Sequence, residues 1–341
     1  MANQIDNISN RALNWGGKSE LLGVKFEKFI QGKAPLILVI LLGLVIYFPV
    51  FFHGFQTLWD DQWVVVNQYT DDRLSLDNIK RILSEYYHGQ YAPVNQLHYT
   101  ILYTFFGYNP LFFHGISVLL HLVNGCLVYC FIYQLMLTID NINRRHIKFL
   151  SFLTSLIFVI HPVSVEAVAW IAASKVLLYS QFYLLGLICY LFYIRNGKKR
   201  YYIGTFILFV LSFGAKEQAV TMPICLLLMD FVSGRNIKTR QRLIETLPFF
   251  LLAIVFGLVT IQSQAVVGDG VFGSANQYPL YQRLVFACYS LIEYATKSFV
   301  PVKLYYIYPF PNQIGEELPF QFWIYLIAVI TLILLLAVYT I

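Results

Sequence analysis

Charge is what this chain has least of. Only 12% of its 341 residues are Asp, Glu, Lys or Arg, against 58% hydrophobic residues. A soluble domain of this length carries about twice that share of charge, so a water-soluble globule is excluded. Cysteine is sparse as well. Cys126, Cys130, Cys189, Cys225 and Cys288 all lie in apolar stretches without metal-ligand spacing, and they read as small buried hydrophobes. Walker loop, HExxH, GxSxG and paired CxxC are missing, which argues against a nucleotide-driven pump and against common hydrolases.

Long apolar runs fill the space that charge leaves. A helix of about 20 apolar residues crosses roughly 30 Å of hydrocarbon. Several runs qualify, and they are continuous rather than alternating, so the chain reads as an all-α polytopic membrane protein and not a barrel. Its bilayer is that of a bacterial inner membrane or of the endoplasmic reticulum. The net charge of +6 reports basic loops, not a nucleic-acid partner. Aromatics are dense, with 25 Tyr and 29 Phe, enough for interfacial belts and for lining a groove around an isoprenoid or sugar.

Residues 1–33 form a basic leader, expected on the cytoplasmic side, before the first span at 34–52. Residues 53–109 are then a large external loop. Within it, 74–87 and 94–107 read as amphipathic helices on the membrane surface. Residues 110–139 return inward, and 149–194 are long enough for two spans, broken at 161–170. The runs 201–215 and 219–232 are each about 14–15 residues, reaching roughly 21–23 Å, short of the hydrocarbon thickness. Residues 246–263 go outward and 264–282 form a second external loop. The basic segments 1–33, 140–148, 195–200 and 234–242 alternate with non-basic ones; after residue 283 that signal fails. The last run stops at Ile341 without a polar anchor, so the chain is expected to be a fragment of a longer one.

Three stretches carry candidate chemistry. In "WDDQW" the carboxylates Asp60 and Asp61 sit between Trp59 and Trp63 at the outer end of a span. They read either as a helix cap in a solvated loop or as a general base at a membrane surface, with indoles to hold a sugar or polyprenyl chain. In "HPVSVEAVAWIAASK" helical spacing would align Glu166, Trp170 and Ser174, with Lys175 beside them and His161–Pro162 ahead. An ionisable residue inside an apolar run is a functional candidate; the alternative is a Glu–Lys pair joining two helices. In "AKEQ" Lys216 and Glu217 lie between the two short runs, which marks either a cavity below the outer surface or a tight turn. His114, His121 and Asn124 read as interhelical hydrogen-bonding groups.

These stretches occur in a familiar order: "WDD", then "YAPVNQLHYTILYTFFGYNPLFFHGISVLLHLVNGCLVY", "HPVSVEAVAWIAASKVLL", "GAKEQAVTMP" and "LYYIYPFP". Over roughly residues 35–312 the chain resembles the transmembrane and tetratricopeptide repeat-containing O-mannosyltransferase-like proteins, of the GT-C glycosyltransferase superfamily. The resemblance implies a GT-C-like helix bundle, a polyprenyl-phosphate-linked sugar as donor (mannose first), and a hydroxyl acceptor, on protein, outside the cytoplasm. It maps the acidic catalytic motif to Asp60 and Asp61, the family's "HP…EAV" stretch to His161, Pro162 and Glu166, a following basic position to Lys175 and the "KE" pair to Lys216 and Glu217. On that mapping Asp60, Asp61 and Glu166 are the expected catalytic residues, His161, Lys175 and Lys216 the candidates for binding the donor phosphate, and Trp59, Trp63, Trp170 and Glu217 those for binding sugar or acceptor. No metal or other cofactor is required, though adjacent aspartates could hold a divalent cation. Two departures stand out. Ala92 occupies a position where the family often has Arg, and the tetratricopeptide repeats expected downstream are absent, with no 34-residue period visible. The rival reading is a carrier or flippase for lipid-linked sugars, using the same charged cavity without chemistry.

Overall fold

The computed structural model describes residues 29–139, 142–265, 278–305, 308 and 312–340. Most of the basic leader, the centre of the 264–282 loop and much of the "LYYIYPFP" stretch lie outside the described residues. Among the described residues there is no strand, only helices and one isolated bridge between Tyr87 and Gln90.

Among the described residues four helical segments are long and apolar enough to cross a membrane. The first is α1 (Ala34–Tyr47) prolonged by a 3-10 turn (Phe48–Phe52). After the long loop, with its helices α2 (Leu76–Ser84) and α3 (Pro93–Phe106), comes the second, α4 (Pro110–Met136). α5 (Arg144–Ile160) follows and bends by 50° into the short helix Val165–Ala169, and this pair makes a fifth candidate span. The bend falls at Pro162, which has no N–H to continue the helical ladder. α6 (Lys175–Asn196) forms the third long span together with the 3-10 turn before it, and α9 (Arg240–Ala265) the fourth. Between them lie α7 (Lys199–Ala215) and α8 (Met222–Val232). α10 (Leu280–Phe299) and α11 (Gln321–Thr340) pack against each other at the end of the chain. The protein is thus an all-α polytopic membrane protein. On α9, Leu247, Leu251, Ile254, Leu258 and Ile261 are exposed along one stripe, an apolar face that lipid covers.

Close packing of α1, α4 and α5 depends on glycine. A Cβ on Gly125 would run into Val159, and one on Gly43 into Leu122 and Val159. Polar side chains then join the spans: Ser155 donates to the Gly125 carbonyl at 2.7 Å, Asn124 to the Leu177 carbonyl at 2.8 Å, and His121 Nε2 lies 3.0 Å from the Val159 carbonyl. α6 to α9 close around Tyr190, Phe209, Phe213, Met222 and Phe249. One end of this second bundle is fastened by charge. Buried Asp230 accepts from Tyr190 Oη at 2.8 Å and from Arg235 at 2.6 Å, and Glu245 bridges Arg235 and Arg242.

The loop 53–109 covers the other end. Asn67 organises it: its Oδ1 caps the single turn Gln68–Asp71 and its Nδ2 donates to Gln96 of α3. Tyr99 of α3 donates to the Ile171 carbonyl at 2.9 Å, Val94 abuts Gly214 of α7, and Ser263 of α9 donates to the Gly89 carbonyl at 3.3 Å. Several boundaries differ from the sequence reading, three of them around the short runs and the second loop. α8 begins only at Met222, because residues Glu217–Thr221 wind as a 3-10 turn. Leu280 already starts α10, and α9 runs to Ala265, so both rims of the polar segment 264–282 are helical.

Candidate active site

The expected stripe of Glu166, Trp170 and Ser174 does not form. The helix stops at Ala169, Trp170 is extended (φ −101°, ψ 118°), and the chain resumes as a 3-10 turn, Ile171–Ser174. The cause lies in the loop above. Asp61 Oδ1 accepts the Ala172 N–H at 2.8 Å, and the Tyr99 hydroxyl takes the Ile171 carbonyl, so backbone groups that a continuous helix would pair internally are pulled outward.

That contact separates the two aspartates. Asp61 is buried, and both its oxygens are occupied: Oδ2 accepts the Gln56 N–H at 2.8 Å, Oδ1 that of Ala172. Burial raises its carboxyl above the usual range, while the two N–H donors and the nearby Trp170 indole pull the other way. The indole N–H comes near without closing a well-formed hydrogen bond. Asp61 therefore latches the loop onto the head of α6. Asp60 is half-buried, and its carboxylate makes no hydrogen bond or ion pair among the described residues. Among the described residues no group of three or more His, Cys, Asp or Glu could hold a metal.

Lys175 lies within electrostatic reach of Asp60, Lys216 and Glu217. Its one hydrogen bond among the described residues is to Gln90 Oε1 at 3.3 Å. Lys216 is half-buried and Glu217 exposed, and neither side chain is spent on an ion pair among the described residues. Two cations and two carboxylates thus lie at one end of the bundle without neutralising one another pairwise.

Glu166 stands apart from this cluster. It is exposed on a cleft of about 710 Å³ with Trp59 and Trp170, whose rings meet edge to face at 5.7 Å. The far wall is Tyr294, Lys297 and Ser298 of α10, with Leu304, Tyr305 and Tyr308. Lys297 is held by Glu293 at 3.1 Å and lies 3.9 Å from the centre of the Tyr308 ring. Trp59 precedes Asp60, so cleft and charged cluster meet there. Two further expected residues also make contacts of their own. His161 Nδ1 accepts the Val163 N–H at 3.3 Å as a helix cap, and Trp63 packs beside His88 on the opposite side, 5.0 Å between ring centres. Sequence reading missed Gln90, Lys297 and His53, which also lines the cleft. The first two come from far along the chain or from plain loop sequence, and nothing in their surroundings marks them.

No protein-family model and no solved structure matches the chain. Curated proteins do. The chain is 35% identical to protein O-mannosyl-transferase TMTC1 of Mus musculus over 103 residues, 30% of this chain and 10% of that protein. It is 29% identical to the Homo sapiens TMTC1 over 144 residues, covering 38% of this chain and 15% of that protein. With protein O-mannosyl-transferase TMTC2 of Mus musculus the identity is 26% over 207 residues, 57% of this chain and 23% of that protein. The matches thus span at most about a quarter of the relatives' length. Partial as it is, the similarity returns to one group of proteins each time: this membrane-embedded chain is similar, over part of its length, to the TMTC protein O-mannosyl-transferases.

Proposed function

We propose that this protein is an integral-membrane glycosyltransferase of GT-C type, moving a sugar from a polyprenyl-phosphate donor to a hydroxyl on a protein. The observation that carries this reading is the Asp60 carboxylate, unpaired among the described residues, within electrostatic reach of Lys175, which Lys216 also reaches, at a bundle end roofed by the loop, in a chain similar to O-mannosyl-transferases. Asp60 takes the proton from the acceptor hydroxyl. The oxygen attacks the anomeric carbon, and the bond from that carbon to the phosphate oxygen breaks on the opposite face, so configuration inverts. The electron pair leaves with the phosphate, where Lys175 and Lys216 stabilise it as point charges. A phosphate of low basicity needs no strong general acid. The cleft walled by Trp59, Trp170 and Glu166 holds the adjoining part of the donor. The face involved is the non-cytoplasmic one, opposite the basic segments.

The test is incubation of the purified protein with a panel of polyprenyl-phosphate hexoses and serine- or threonine-containing peptides. A mass gain of one hexose on the peptide and release of polyprenyl phosphate are expected. Asp60→Asn should abolish both without changing the unfolding curve, and Lys175→Met should lower turnover by roughly a hundredfold. Near-normal turnover of Asp60→Asn would remove that residue from the mechanism. The size and apolar walls of the cleft favour one other reading, a carrier of lipid-linked sugar; it would leave the donor intact and the peptide unmodified.

A further inference from the structure

Lys175 is the first residue of α6, and its ammonium ends a flexible four-carbon stem that can point many ways. Asp60 and Glu217 lie within its electrostatic reach, yet among the described residues it forms an ion pair with neither. Its hydrogen bond goes instead to a neutral group, the Gln90 amide, from 85 residues earlier in the chain. An ammonium only donates, so the amide must present its oxygen to it.

The backbone under Gln90 is fixed from several sides. Tyr87 and Gln90 exchange both backbone hydrogen bonds, each at 3.0 Å, around a two-residue turn. Inside it His88 and Gly89 have φ of 46° and 72°, the left-handed pair that a type I′ turn requires. Glycine takes that conformation freely. His88 is secured by ring contacts, 5.0 Å from Trp63 and 4.4 Å from Tyr87 between centres. α9 fastens the turn as well: Ser263 donates to the Gly89 carbonyl at 3.3 Å, and Tyr86 Oη donates to Gln262 Oε1 at 3.4 Å. Gln90 thus reaches Lys175 from a platform built on the loop and α9, not on α6.

We infer that Gln90 is a positioning residue for Lys175, an inference that rests on the glycosyl-transfer reading for what Lys175 faces. Its amide oxygen takes one of the three ammonium hydrogens and leaves two, with the full positive charge, for the leaving phosphate. The neutrality of the amide decides this role. A carboxylate at position 90 would hold the same ammonium more tightly but cancel its charge. An apolar side chain would leave the charge and lose its direction.

The test uses Gln90→Glu and Gln90→Met, both close to glutamine in shape. Titration calorimetry on the full chain in detergent measures binding of farnesyl phosphate, with farnesol as the uncharged control, and thermal unfolding is followed alongside. Wild type should prefer the phosphate. Gln90→Met should weaken its binding several-fold. Gln90→Glu should weaken it by at least about tenfold, since a neutralised cation forfeits most of its attraction for an anion, with an unfolding midpoint equal to or above that of wild type. A Gln90 that merely ties the loop to α6 predicts the reverse order, because the ion pair would strengthen the tie. In a Lys175→Met background Gln90→Met should cost nothing further; if Gln90→Glu does not fold, this cycle decides. Wild-type affinity for the phosphate in either single variant, or the same loss from Gln90→Met with and without Lys175, would overturn the role of Gln90 and leave the glycosyl-transfer reading in place. Equal affinity of wild type for farnesyl phosphate and farnesol would overturn both.

Discussion

Truncating Asp61 to alanine separates the roles of the two neighbouring aspartates. The side chain accepts two backbone N–H groups, from Gln56 and Ala172, each at 2.8 Å. Hydrogen bonds to a charged group contribute about 1.5–3 kcal/mol each. Burying the carboxylate takes back part of that gain, as its raised pKa records. The net loss in Asp61→Ala is therefore about 2–4 kcal/mol, mostly from two N–H groups left without acceptors. Asp61→Asn keeps one acceptor and should lose about half as much. Asp60→Ala removes no hydrogen bond and should stay within about 0.5 kcal/mol of wild type. Thermal unfolding in one detergent, followed by tryptophan fluorescence, measures all three, because Trp59 and Trp170 flank the latch. Equal midpoints for Asp61→Ala and wild type, or equal losses for Asp60→Ala and Asp61→Ala, would refute the division of labour.

Three further outcomes follow from the packing. Burial pushes His98 of α3 down from 6.5 to about 4, so the fold favours the neutral ring; stability should be complete above pH 6.5 and fall as the pH drops toward 4, and His98→Gln should flatten that part of a midpoint-against-pH curve. Gly125→Ala drives a methyl into Val159 and should cost about 1–3 kcal/mol, with Val159→Ala restoring part of it in the double variant, as a thermal-unfolding cycle would measure. Arg235→Ala strips the charged partner from fully buried Asp230 and should destabilise by about 3–5 kcal/mol, whereas Asp230→Asn combined with Arg235→Met should lose less, by the same assay.

The spans were legible because hydrophobic length alone decides them: the runs at 34–52 and 246–263 lie in long helical segments, and 110–139 does so as far as Met136. The break after His161 was legible too, since proline announces it. The helix end at Trp170 was not, because nothing local breaks it; the Asp61 carboxylate, 111 residues away, claims the Ala172 N–H. For the same reason the preference for Asp60 over Asp61 had no basis in residue type; the two differ in what surrounds them. Lys175 comes within electrostatic reach of both Asp60 and Lys216 because their motifs share one end of the bundle. Glu166 shares that stretch of sequence with Lys175, yet the turn at Trp170 sends it into the neighbouring cleft.

The latch also has a mechanical consequence. Asp60 is one peptide bond from Asp61, and Lys175 is three residues beyond Ala172, so a single hydrogen bond couples the strip bearing the carboxylate to the strip bearing the ammonium. Bilayer thinning or tension that tilts the spans would carry both strips as one piece. Their spacing is thus set locally and is insulated from the thickness of the membrane in which the helices stand.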